Sequence, residues 1–248
     1  MIKFIKINIA IILLLLLSSQ AFADVQSIPL LIAKQAGNTT SWSLSIKVIA
    51  VMAALTVLPA LLITTTAFTR IIIVMAILRQ ALGIPSVPSN QILIGLSLIM
   101  TLFVMTPIIQ KTNDIAVQPY MQGTLNEQQA FDAAMTQLKG FMLKQTRKTD
   151  LKVFSEISRT KPDAVNGYPL LVVMSAFITS ELKTAFEIGF LIFLPFLIID
   201  LVISSILMSM GMMMLSPMVI SLPFKLLFFV LVDGWGLIVT SLVSSFRI

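Results

Sequence analysis

From Val48 to Thr69 the chain carries no charge, and from Gln91 to Gln110 it again carries none. Each run is about the twenty residues that a helix needs to cross the hydrocarbon of a bilayer. Between them lie Arg70 and Arg79, while the next acidic residue is Asp114. A short basic connection after an apolar span reads as cytoplasmic. Pro85 and Pro88 mark a turn inside it, and Pro107 interrupts the second run.

The pattern changes over residues 111–167. This stretch holds eight basic and six acidic residues, half of the chain's charge, so it predicts a segment outside the hydrocarbon. Thr124-Leu-Asn-Glu127 has the spacing of a capping box. Phe131, Met135, Leu138 and Met142 follow at helical intervals, with Phe141 beside them, which predicts an amphipathic helix or hairpin. A shorter helix is expected from about Asp150, with Leu151, Phe154 and Ile157 on one side. Two crossings before this segment would put it on the periplasmic side. Its net positive charge opposes that placement, although the charge rule weakens for longer segments.

The last third alternates short apolar runs with charge and proline. Tyr168–Ser180 and Ile188–Ile199 are uncharged but too short to span alone. Glu181, Lys183 and Glu187 separate them, and Pro195 breaks the second. Leu201–Phe224 is long enough but contains Gly211, Pro217 and Pro223. This density of prolines and lone charges predicts broken helices buried against protein. Lys183 and Glu187, four apart, can pair on one helix face. Glu181, Asp200, Lys225 and Asp233 have no opposite charge three or four residues away. Charges in apolar surroundings are costly unless paired or wetted. Each is therefore expected to find a partner in another segment, another copy or a water-filled passage, or to lie at a surface.

Before the first run, Lys3 and Lys6 precede an apolar stretch from Ile7 to Leu17 and the triplet Ala21-Phe22-Ala23. This is the layout of a secretory signal cleaved after Ala23, with an uncleaved anchor as the alternative. It implies a bacterial chain whose mature N-terminus, Asp24, lies outside the cytoplasm.

Composition narrows the chemistry. Hydrophobic residues make up 57% of the 248 positions and charged ones 11%, a membrane-class balance. Histidine and cysteine are both absent, which removes imidazole bases, thiolate nucleophiles and the usual zinc ligand sets. No cofactor or metal is expected. No basic block with interleaved aromatics argues for nucleic acid, and no Gly-Lys-Ser/Thr loop argues for nucleotide. One local feature remains. Six methionines, Met208, Met210, Met212, Met213, Met214 and Met218, fall within eleven residues. Methionine is flexible and polarizable, so beside a helix break it suits a soft collar that seals and reopens. Core filler or a lipid-facing stripe would use the same residues.

Ser175-Ala-Phe-Ile-Thr-Ser-Glu-Leu-Lys-Thr-Ala-Phe-Glu-Ile-Gly-Phe190 resembles the first signature of the FliP family of flagellar export proteins, and Pro195-Phe-Leu-Ile-Ile-Asp-Leu-Val-Ile203 resembles the second. Two further blocks, Phe68–Gly83 and Leu222–Trp235, are similar to other parts of that family. The resemblance implies a non-enzymatic core subunit of the type III export gate at the bacterial inner membrane, in the flagellar basal body. It implies a ring of five copies assembled with FliQ and FliR, lying largely above the bilayer plane, through which unfolded substrates pass. It also places a channel gate on Met212, Met213 and Met214, to which the neighbouring Met210 is added. Glu181 and Lys225, both in family blocks, are expected to pair between adjacent copies, and Asp200 and Asp233 to be buried charges.

The expected architecture is all-α. A signal peptide (1–23) is followed by N-terminal apolar helices (24–110), a polar amphipathic segment on the periplasmic side (111–167) and C-terminal helical hairpins with broken helices and the methionine gate (168–248), assembling into a ring. Three rivals remain. A virulence-injectisome gate would share the family. A small-solute or ion channel would also use an apolar constriction. An intramembrane hydrolase lacks a histidine base.

Overall fold

The computed structural model describes residues 44–84, 86–160, 167–212 and 215–247; the expected signal peptide, Met213 and Met214 lie outside them. The chain divides into two units, Met1–Pro59 and Ala60–Ile248. Helix α1, Leu44–Thr64, runs across that division. Val48, Ile49, Val51, Met52, Leu55, Val57, Leu61 and Ile63 are all exposed along it.

Every element of the second unit among the described residues is helical. Helix α2 (Phe68–Ala81) is the centre of its core. Ile71, Val74, Met75 and Leu78 recur at helical spacing and are fully buried. They pack against α3 (Asn90–Thr112) and against the first half of α6 (Leu170–Ser209), where Val173, Ala176, Phe177 and Ala185 are equally buried. Gly189 permits the closest approach: a methyl group there would come within 2.4 Å of Ile77 Cδ1. Helix α3 continues through a π-helical turn, Asn113–Val117, into a last turn, Gln118–Met121. The widened turn ends two residues before Pro119, which cannot donate an α-helical hydrogen bond.

Helices α4 (Glu127–Gln145) and α5 (Lys148–Ile157), joined by two residues, make up the polar segment, called the polar hairpin below, and each packs on α6 rather than on the other. The capping box that starts α4 is not Thr124/Glu127, as the spacing suggested, but Asn126/Gln129. Asn126 accepts from the Gln129 N–H at 2.8 Å, and Gln129 Oε1 accepts from the Asn126 N–H at 3.0 Å. Asparagine outcompetes the upstream threonine, whose hydroxyl instead donates to the Pro119 carbonyl at 2.8 Å. Phe141 and Met142 enter the core, and Phe141 packs against Phe177 with ring centres 5.9 Å apart. Phe131 and Ile157, at the far ends of the two predicted stripes, stay exposed.

The expected break at Pro195 is absent. Helix α6 is continuous for 40 residues, about 60 Å at 1.5 Å per residue and twice the hydrocarbon thickness. Both short apolar runs therefore belong to one rod. Its carboxyl end closes with three bonds: Met210 N–H to Ile206 O at 3.1 Å, Gly211 N–H to Met208 O at 3.1 Å and Met212 N–H to Leu207 O at 3.0 Å. The last two make a Schellman motif, which needs the left-handed Gly211 (φ +74°). Ser216 and Pro217 then open α7 (Pro217–Leu231), with proline at a position whose N–H has no helical partner anyway. A sharp turn at Val232–Asp233 leads into α8 (Gly234–Ser244), which lies at 64° to α7. Of the described helices, α3 with its extension and α6 are long and apolar enough to cross a membrane; the bent pair α7–α8 would make a third.

Candidate functional site

Three polar clusters hold the unit's helices together, and all use residues from the signature blocks. The first is buried. Arg70 Nε donates to Glu181 Oε2 at 2.8 Å and Nη2 to Oε1 at 2.5 Å, with the two side chains 3% and 0% exposed. Two parallel bonds between planar groups are the strongest form of this pairing. The remaining guanidinium nitrogen, Nη1, donates to the Ser245 carbonyl at 3.0 Å and its hydroxyl at 2.9 Å, and Phe246 stacks on the guanidinium at 3.9 Å. Arg70 is thus a buried residue of α2 rather than part of a loop between two spans.

The second cluster docks the polar hairpin on α6. Ser180 Oγ donates to Asp150 Oδ2 at 2.7 Å and accepts from the Arg147 N–H at 3.0 Å. Lys183 Nζ donates to Asp150 Oδ1. Arg147 Nη2 donates to Glu187 at 2.6 Å and to Thr184 Oγ1 at 3.3 Å. Lys183 and Glu187 therefore do not pair with each other: each reaches across to the hairpin, where a nearly buried carboxylate and a backbone-anchored arginine offer better partners. Burial pushes the Asp150 carboxyl up, but hydrogen bonds from Lys183 and Ser180 and the charges of Lys183 and Arg147 outweigh it and hold the group below its ordinary value of 3.8.

The third cluster closes the α6–α7 hairpin. Lys225 Nζ donates to Asp200 Oδ2 at 2.7 Å and to the Ala81 carbonyl at 3.2 Å, while Ser221 Oγ donates to Asp200 Oδ1 at 2.5 Å. The ammonium thus also sits on the last carbonyls of α2, where a cation is favoured. Glu181 and Lys225 do not meet. Each is neutralised inside its own chain, by Arg70 and Asp200 respectively, so neither charge needs a neighbouring copy for its partner. Asp200 is half-buried rather than buried, with 35% of its side chain exposed. Asp233 is exposed, because it occupies the α7–α8 turn in a left-handed conformation (φ 50°) rather than a helix interior. Its carboxylate folds over the start of α8, where a Cβ on Gly236 would lie 2.3 Å from Asp233 Oδ2.

All of these clusters' charged residues lie in the region that matches known proteins. Residues 51–242 match the model of the FliP family. The chain is 50% identical over 210 residues to the flagellar biosynthetic protein FliP of Pectobacterium carotovorum, covering 83% of this chain and 80% of that one. It is 49% identical to the FliP of Bacillus subtilis (82% and 93% covered) and 44% identical to that of Aquifex aeolicus (96% and 99% covered). The chain belongs to the FliP family.

Among the described methionines of the run, Met208, Met210 and Met218 are exposed (60–65%) and Met212 is half-buried. None is core filler within the chain. Separately, α6, α7 and α8 line an open apolar pocket of about 330 Å³, walled by Pro195, Phe196, Phe228, Phe229, Leu237 and Ile238. Its walls are held by edge-to-face and tilted aromatic contacts, Phe229–Trp235 at 5.4 Å and Phe196–Phe229 at 6.3 Å. Sequence reasoning missed Arg70 and Asp150 as the partners of the signature. Glu181 and Arg70 are 111 positions apart, and no local spacing links them.

Proposed function

We propose that this chain is a core channel-forming subunit of the flagellar type III protein export gate in the bacterial inner membrane, passing unfolded flagellar substrates. Its membership of the FliP family carries this reading, since the relatives are named for flagellar biosynthesis. A ring of five copies, with FliQ and FliR as neighbours, is part of the proposal. What supports assembly is the apolar surface that the folded chain leaves outside: Phe186, Phe190, Leu191, Leu194, Leu201 and Val202 along α6, and Phe224, Leu227, Val230 and Leu231 along α7. Patches of this extent mark contact with lipid or with other subunits. The polar hairpin α4–α5 is proposed to face the periplasm.

The gate is assigned to the methionine segment between α6 and α7, including Met210, Met212, Met213 and Met214. A resting channel of protein size must exclude ions, and an apolar constriction does so by dewetting. Unbranched methionine side chains yield to a passing chain and close behind it, whereas β-branched residues are stiff at χ1. Exposure of the described methionines on a chain whose core is closed supports this use. The test is a deletion strain. Loss of both flagellar substrate secretion and motility, restored by the intact gene, supports the reading; secretion that persists without the gene refutes it.

A further inference from the structure

The segment that follows α8 is held like a bound peptide. Ser245 gives its carbonyl and hydroxyl to Arg70 Nη1, at 3.0 and 2.9 Å. Phe246, 6% exposed, lays its ring on the same guanidinium at 3.9 Å. Arg247 is gripped reciprocally by Gln145: Nε2 donates to the Arg247 carbonyl at 2.8 Å, and the Arg247 N–H donates to Oε1 at 3.3 Å. Three consecutive residues are thus read by two helices, with a third orienting the arginine. Arg70 comes from α2, its orienting carboxylate Glu181 from α6, and Gln145 from the last position of α4. Helix α8 itself packs on α7 and α3, and this segment adds its links to α2 and α4.

We propose that Arg70, Glu181 and Gln145 form a peptide-binding socket whose ligand is the chain's own Ser245-Phe246-Arg247 strap, and that seating of the strap fastens the apolar helix α8 to the polar hairpin. The chemistry is specific. A flat, five-donor guanidinium is needed to bind the carboxylate with two nitrogens, donate to Ser245 with a third and present a face to Phe246; an ammonium cannot do all three. A side-chain amide is needed to give and take a hydrogen bond with one backbone unit, as strands do with each other. The ion pair is therefore the floor of the socket as well as a link between α2 and α6.

The experiment is hydrogen exchange, read by mass spectrometry on the full chain extracted in mild detergent. Phe246→Ala should raise exchange of the Arg247 amide at least tenfold, and with it exchange of the last turn of α4, Met142–Gln145. Exchange over α3 should not change. Gln145→Ala, which leaves the buried pair intact, should release the strap in the same way. Arg70→Lys, which keeps the charge opposite Glu181, should release it as well, while Phe246→Tyr should hold it. The proposal is overturned if the end of α4 keeps its full protection once Arg247 has lost its own. It is equally overturned if Arg70→Lys seats the strap as well as arginine does.

Discussion

Asp200 and Lys225 form one ion pair, yet removing either partner should not cost the same. The Lys225 ammonium is 4% exposed and Asp200 is 35% exposed. Asp200→Ala strands a buried cation that keeps only the Ala81 carbonyl, 3.2 Å away. Removing one partner of a buried pair costs about 3–5 kcal/mol, because the other charge stays desolvated. Lys225→Met removes the buried charge itself and fills most of its volume. It leaves Asp200 in partial contact with water and still receiving the Ser221 hydroxyl at 2.5 Å, so the loss should be about 1 kcal/mol, that of an ordinary hydrogen bond. The double variant Asp200→Ala/Lys225→Met contains no stranded charge and should lie closer to Lys225→Met than to Asp200→Ala, which makes the coupling several kcal/mol favourable. Reversible unfolding in mixed micelles, across the four chains of the cycle, measures each value. The reasoning is refuted if Lys225→Met is the more damaging single change, or if the two losses simply add.

Three further outcomes follow from named contacts. The Asp150 carboxyl is held below its ordinary value when folded, so it stabilises the hairpin docking above the unfolded carboxylate range and loses that contribution as pH falls below about 4; a pH series should show acid release of α4–α5, and Asp150→Asn should flatten it. Gly211→Ala forces a Cβ into the left-handed region at the end of α6 and should cost about 1 kcal/mol in the same unfolding assay, whereas Gly140→Ala, in the open interior of α4, should instead raise stability by about 0.5–1 kcal/mol. Ser97 is fully buried with no hydrogen-bond partner for its hydroxyl, so Ser97→Ala should leave stability unchanged or raise it, while any larger residue at this tight α3 position should lower it.

The architecture was legible wherever a period or a local motif carried it. The uncharged run from Gln91 and the helical spacing of α4 became helices, and the Gly211–Pro217 punctuation became the α6–α7 break. Local rules failed where a tertiary partner offered more. Pro195 does not interrupt α6, because an apolar helix packed on neighbours tolerates the lost bond. Lys183 and Glu187 ignore each other for Asp150 and Arg147, and Asn126 displaces Thr124 as the cap. That Glu181 and Lys225 each required a partner was readable from their isolation; which partner was not. Arg70 lies 111 positions from Glu181, and in the sequence it reads as the first charge after an uncharged run rather than as a core residue.

The central claim is that copies of this chain assemble around a passage closed by methionines. Its most direct measurement is the mass and image of the complex drawn intact from the membrane, with ion conductance recorded from the same material. The account predicts a closed ring of five copies with its partners, silent at rest, that conducts ions when Met210, Met212, Met213 and Met214 are all replaced by alanine with ring yield unchanged. Single copies without a ring, or an assembled ring whose conductance is the same with and without the methionines, would contradict it.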